Sequence, residues 1–255
     1  GRAGDRLHHR AAGRLAAVQR RRPRADGGAP RLLTPAALPP TEAVAFDLDG
    51  VLVDSEPTHE RANVEYLAGL GVTLDPELAA AMLGRRVRDL TDAVAEQAGL
   101  PPEEAFAGRE AVFWRLLEEA PPPPMPGLRP ALDRLAGAGL RLAVASSGTR
   151  AYVAHVLDRL GVAGAFAAVV SGEEVTDGKP DPGIYLLAAE RLGADPGACV
   201  AVEDAPHGIA AARAAGMRVV AVPHARTQAL DLSRADVVVA DLEAAADWIL
   251  AAPLT

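Results

Sequence analysis

The sequence predicts a three-layer α/β fold, with a central parallel sheet covered on both faces and an α-helical cap inserted after the first strand. Short, continuously apolar runs alternate with amphipathic stretches from Glu42 onward. Strands buried on both faces read this way, and the helices between them supply the crossovers of a parallel sheet. One stretch of about 65 residues, from Glu56 to about Ala120, breaks the alternation and carries helical periodicity alone.

The first strand is Ala43–Phe46. In the insertion, Val64, Leu67 and Leu70 mark one helix that stops at Gly71. Leu78 to Met82, Leu90 to Ala98 and Phe106 to Leu117 mark three more, and Pro121–Pro124 ends the last abruptly. A helical insert closed by a proline stop reads as a cap over a site. Helix Pro130–Ala138 and strand Leu140–Ala145 follow, then helix Arg150–Leu160 and strand Ala167–Val170. Helix Pro182–Leu192, strand Cys199–Val202 and helix His207–Ala215 come next, and strands Val219–Val222 and Val237–Ala240 close the series. Asp181 is the expected N-cap of helix 182–192, with Pro182 as its first residue. The expected division is a catalytic core over 41–55 and 126–255, a cap over 56–125 and an extension over 1–40.

Hydrophobic residues make up 49% and charged residues 24%, an ordinary globular balance. Aromatics are only 4%, so Ala, Val and Leu must build the core, with Trp114 and Trp248 as packing anchors between helices. The single cysteine, Cys199, excludes a disulfide within the monomer and a cysteine-built zinc site. It opens a buried strand and is expected to be core, without the electropositive surroundings of a reactive thiol. A net charge of −8 argues against a nucleic-acid partner. No apolar run approaches the ~18–20 residues of a membrane helix. Residues 1–40 hold nine Arg, two Asp and no Glu, a charge of +7 against −15 for the remainder. Apart from a short helical stretch over Leu7–Val18 they offer no sustained apolar face, and they read as disordered. A monomer is expected, because neither a heptad pattern nor an apolar patch suggests otherwise.

In a parallel sheet the ligand sits beyond the carboxyl ends of the strands. After the first strand comes Asp47-Leu48-Asp49-Gly50, two carboxylates straddling a turn that Gly50 permits. After the second comes Ser146-Ser147-Gly148-Thr149, a small polar loop whose hydroxyls and N–H groups suit a phosphate oxygen. After the third comes Gly178-Lys179-Pro180-Asp181, and after the fourth Glu203-Asp204. Converging carboxylates repel unless a cation lies between them, and oxygen donors without a histidine cluster favour Mg²⁺ over zinc. Of 26 basic residues, 25 are Arg, and the one lysine is Lys179. A compact ammonium differs from a planar guanidinium in reach and geometry, so its position among the acids points to function. This is the inventory for phosphoryl transfer.

Asp47-Leu48-Asp49-Gly50-Val51-Leu52-Val53-Asp54-Ser55, then Ser146, Lys179-Pro180 and Glu203-Asp204, resemble the four motifs of the haloacid dehalogenase superfamily. The helical insert resembles that family's cap, and the likeness is greatest to its sugar-phosphate phosphatase and β-phosphoglucomutase-like branch, over about residues 42–240. The resemblance implies that Asp47 is a nucleophile forming an aspartyl-phosphate. It implies that Asp49 is the general acid and then the base, its backbone carbonyl also facing Mg²⁺. Ser146 and Lys179 would hold the transferring phosphoryl oxygens, with Ser147 and Gly148 beside them. Asp204 would ligate the metal, and Glu203 would stand next to it in the metal shell.

Residue chemistry separates the branches. Dehalogenases of the family do not carry the second aspartate, and Asp49 is present. Phosphonatases use a cap lysine for a Schiff base, and this insert has no lysine. β-Phosphoglucomutases carry a cap lysine where Leu83 stands here, so a phosphomutase is the alternative to a phosphatase rather than the leading reading. A catalytically idle binding module would show broken motifs, and none is broken. A receiver domain has no place for the insert. Substrate contacts are expected from His59 and Arg85, with Glu56 at the entrance and Arg86 and Arg88 as further candidates. The other histidines read as surface or tail residues. The resulting expectation is a cytoplasmic, Mg²⁺-dependent phosphatase of small phosphate esters such as sugar phosphates, acting neither on nucleic acid nor at membranes.

Overall fold

A computed structural model describes residues 40–73 and 87–251. The Arg-rich segment 1–39, the helix expected over Leu78–Met82, and Arg85 and Arg86 lie outside the described residues.

Six parallel strands form one sheet. They are β1 (Ala43–Phe46), β2 (Arg141–Ser146), β3 (Ala168–Ser171), β4 (Cys199–Glu203), β5 (Arg218–Ala221) and β6 (Val237–Val238), in the order β3-β2-β1-β4-β5-β6. β1 pairs with both β2 and β4, Ala45 lying opposite Ala143 on one side and Ala201 on the other. The chain therefore departs from β1 in both directions, and the crevice at that switch point lies beyond Phe46, where Asp47 follows.

Successive side chains of β1 enter two separate cores. Val44 and Phe46 join one with Leu132, Val153 and Ile249, while Ala43 and Ala45 join the other with Tyr185, Ala212 and Leu232. This is the period of two that a strand imposes on a sheet covered twice. On the first face lie α4 (Leu128–Gly137), α5 (Arg150–Leu160) and α8 (Leu242–Ala251), and on the second α6 (Gly183–Leu192) and α7 (Pro206–Ala214). Trp114 and Trp248 pack against the first core, as expected.

Between β1 and β2 lie α1 (Glu56–Leu70), α2 (Val87–Ala98) and α3 (Pro102–Glu119), with α3 packed on both others. Gly71 ends α1 in the left-handed conformation, at φ 65°, which glycine adopts without strain. The two connections to the insert run side by side: Asp54 N–H donates to Pro123 O at 2.9 Å and Met125 N–H to Leu52 O at 3.0 Å. Helix α3 docks on α5 of the core, where Phe113 meets Tyr152 and Trp114 meets His155 edge-on.

Two expected element ends are corrected by local hydrogen bonding. Strand β6 ends at Val238 instead of Ala240, because the chain turns there so that Asp241 can accept the N–H of Ala244 ahead of α8. Helix α6 begins at Gly183 instead of Pro182, and Asp181 Oδ1 accepts the Gly183 N–H at 2.8 Å one step outside it. Cys199 is fully buried as expected; burial pushes its thiol up to about 11, and the pull of Arg141 and Arg218 is opposed by Asp195 and Glu42. Among the described residues no helix is long and apolar enough to cross a membrane.

Candidate active site

Asp47 continues the β1–β4 pairing by one residue, its N–H donating to Val202 O at 3.0 Å. The chain then folds back on itself. Leu48 O accepts the N–H groups of Leu52 and Val53 at 2.9 and 3.1 Å, and Gly50 N–H donates to Val53 O at 2.8 Å. Gly50 has φ +80°, and a Cβ on it would lie 2.6 Å from Asp204 Oδ2 and 2.9 Å from His224 Nε2. Glycine is required there both by conformation and by space.

Four of the strand-end residues meet at one point. Lys179 Nζ donates to Asp47 Oδ1 at 2.6 Å and to Glu203 Oε1 at 2.7 Å. Oxygens of Asp47, Glu203 and Asp204 all lie within 4.8 Å of one another. The Tyr185 hydroxyl lies beneath them, donating to Glu203 Oε1 at 2.5 Å and accepting from Lys179 Nζ at 3.3 Å. Glu203 Oε2 accepts the Asp204 N–H at 3.2 Å. Helix α7 closes over Glu203 only because residue 208 is glycine, since a Cβ there would fall 1.8 Å from Oε1.

Burial raises the Asp47 carboxyl well above the usual range; Lys179 opposes this, while Glu203, Asp204 and Asp49 reinforce it. Burial disfavours the Lys179 ammonium, but Asp47, Glu203 and Tyr185 outweigh it and hold the lysine charged. Burial also raises Asp204, against a hydrogen bond from His224 Nε2 to its Oδ2 at 3.1 Å. Three carboxylates therefore share one ammonium. An oxygen-lined, net negative cluster of this kind fits a hard divalent cation, and the donor set suits Mg²⁺.

Asp49 stands apart from this cluster. Its Oδ1 accepts from Ser55 Oγ at 2.5 Å and from the Tyr152 hydroxyl at 2.5 Å. Burial raises its carboxyl, and those two hydrogen bonds oppose the shift. Ser146, fully buried, accepts the Gly148 N–H at 3.0 Å, and the exposed Ser147 follows it. Gly148 leaves space for the Tyr152 ring, which a Cβ would approach to 2.7 Å.

At the rim, Glu56 opens α1, and burial raises its carboxyl against the pull of Arg226 and His224. Arg226, in the loop after β5, bonds Glu60 of α1 at 2.6 Å. His59 lies farther into the insert. Its ring stacks on Phe113 at 4.2 Å and its Nδ1 faces Arg109 Nη2 at 2.8 Å. Burial, with Arg109 adding to it, lowers its pKa to about 3. Arg88 is paired with Glu103 and Asp92 within the insert.

Three residues of this site fall outside the sequence reading. His224 is a site residue rather than a surface one; it stands two positions beyond Val222, at the carboxyl end of β5, where the parallel-sheet rule directs attention. Tyr152 and Tyr185 sit on helices, and one hydroxyl on an otherwise apolar face gives no sequence signal.

A model of the family "haloacid dehalogenase-like hydrolase" matches residues 41–216. The chain is 35% identical to hexitol phosphatase B of Escherichia coli over 190 residues, covering 73% of this chain and 85% of that protein. It is 37% identical to fructose-1-phosphate phosphatase YqaB of Escherichia coli over 181 residues, covering 69% of this chain and 94% of that protein. It resembles the crystal structure of CbbY from Rhodobacter sphaeroides in complex with phosphate, with a TM-score of 0.69 and 30% identity, covering 79% of this chain and 95% of that one.

Proposed function

Since this chain belongs to the haloacid dehalogenase-like hydrolase family, and is by that kinship a phosphoric monoester hydrolase, we propose that it is a Mg²⁺-dependent phosphatase of small sugar phosphates acting through an aspartyl-phosphate. The observation that carries the reading is Lys179 bonded to both Asp47 and Glu203, at 2.6 and 2.7 Å, beside Asp204 at the switch point of the sheet. The names of the phosphatase relatives support the substrate class.

In the proposed reaction an Asp47 carboxylate oxygen attacks phosphorus. The ester P–O bond breaks, and the departing sugar oxygen takes the proton of the Asp49 carboxyl. Water then attacks the aspartyl-phosphate and gives its proton to Asp49. The Asp47–phosphorus bond breaks, its electron pair returning to the carboxylate. Lys179 offsets phosphoryl charge and restrains Asp47, while Ser146, Ser147 and Gly148 hold phosphoryl oxygens from the β2 loop. Mg²⁺, held by the carboxylates of Asp47 and Asp204 and the backbone carbonyl of Asp49, would withdraw charge from the transferring group. Glu203 belongs to the metal shell in this reading, and its bonds to Lys179, Tyr185 and the Asp204 N–H give it an orienting part. His59, with Nδ1 bonded to Arg109, keeps Nε2 for a sugar hydroxyl, and Arg85 is the second proposed contact from the insert. The metabolite class carries with it a cytoplasmic location and a small-molecule partner.

The test is phosphate release from a panel of sugar phosphates with Mg²⁺ and with EDTA, beside Asp47→Asn. The expected result is metal-dependent release that the substitution abolishes. Release that survives Asp47→Asn overturns the aspartyl-phosphate. Turnover of β-glucose 1-phosphate to glucose 6-phosphate with a bisphosphate requirement, in place of release, overturns the phosphatase in favour of a phosphomutase.

A further inference from the structure

Asp49 has two carboxylate oxygens in different surroundings. Oδ1 accepts two hydroxyls, from Ser55 and Tyr152, each at 2.5 Å. Among the described residues Oδ2 carries no hydrogen bond. A carboxyl whose one oxygen is saturated by donors keeps its proton on the other.

Tyr152 is held rigidly for this task. Its residue is only 6% exposed, its N–H is capped by Thr149 Oγ1 at 3.3 Å, and its ring fills the space that Gly148 leaves. On its other side it packs against Phe113 of α3 at 5.7 Å. The hydroxyl therefore reaches Asp49 from a ring wedged between the β2 loop and the insert.

We propose that Tyr152 is a positioning residue for Asp49: together with Ser55 it ties down Oδ1, so that Oδ2 is the oxygen that gives the proton to the leaving group and takes it back from water. The inference rests on the phosphatase reading above and assigns the geometry of its proton transfer. It also makes that transfer depend on α3, because Phe113 seats the tyrosine.

Tyr152→Phe keeps the ring and removes the donor. The readout is how the effect varies with the leaving group. A hexose phosphate leaves as a basic alkoxide that needs a proton, whereas p-nitrophenolate leaves without one. The expected result is kcat/KM for the hexose phosphate falling about tenfold, while the single-turnover release of p-nitrophenol from p-nitrophenyl phosphate keeps its wild-type rate constant. Equal loss on both substrates would mean general distortion of the site, and no loss on either would mean that the bond is idle; each overturns the proposal. A thermal midpoint within about 2 °C of wild type shows that the variant is folded. Failure of the wild type to act on either ester is a separate outcome, which overturns the phosphatase reading and this inference with it.

Discussion

Lys179 is the one lysine among 26 basic residues, and its surroundings explain why arginine does not stand there. Its Nζ fits between Asp47 Oδ1 and Glu203 Oε1 and lies 5.0 Å over the Tyr185 ring. A compact ammonium reaches two carboxylates on different strands through one atom. A guanidinium is wider and planar, and in this buried cleft it would displace Asp47 or the tyrosine. Lys179→Arg is therefore expected to lower kcat by roughly a hundredfold, the usual cost of losing one fixed electrostatic group. Steady-state kinetics beside a melting curve would check it. Activity within about threefold of wild type would show that charge alone suffices.

Helices α1 and α3 of the insert are joined around a buried cation. Arg109 is fully buried; its Nε donates to Asn63 Oδ1 at 2.9 Å, its Nη1 pairs with Glu110 at 2.9 Å, and its Nη2 meets His59. A second positive charge beside it is costly, which is why burial and Arg109 together hold His59 neutral down to about pH 3. The folded pKa is below the unfolded value of 6.5, so the unfolded chain binds more protons between those limits. The stabilisation is thus complete above pH 6.5 and is lost as pH falls toward 3. At up to about 1.4 kcal/mol per pH unit, this histidine alone removes about 2 kcal/mol by pH 5. His59→Asn, which keeps an acceptor near Arg109, should flatten the acid side of the stability curve by that amount. Parallel urea titrations at pH 7 and pH 5 for both proteins would test it, and an identical loss in both would refute it.

At the scale of the molecule, the sheet gathers three carboxylates at one edge against one lysine. Folding must bring these charges together, and a bound divalent cation relieves their repulsion. A ligand that binds only the folded state stabilises it by mass action. At a hundredfold excess of Mg²⁺ over its Kd, the thermal midpoint should rise by roughly 5–10 °C over EDTA. Asp204→Asn should remove most of that rise. An unchanged midpoint in wild-type protein would argue against a metal at this cluster.

Much of this was readable in the chain. The strand runs at 43–46, 142–145, 168–170, 199–202 and 219–221 are apolar on both faces, and only a doubly covered parallel sheet accommodates them. That architecture by itself makes Asp47, Lys179, Glu203 and Asp204 neighbours, because strand ends in one sheet lie along one edge. Tertiary structure decided the rest. Strand ends fix where a backbone stops but not which helix leans over it, so the reach of Tyr152 to Asp49 and of Tyr185 to Glu203 depended on helix packing. The same holds for His59, whose sequence neighbours place it near the loop after β1, while its ring is held by Phe113 and Arg109 some 50 residues away. Local chemistry and period determined the elements and the edge where the acids meet; the angle at which α3, α5 and α6 settled determined which hydroxyl met which carboxylate, because a hydrogen bond needs placement to a few tenths of an ångström that only a packed core supplies.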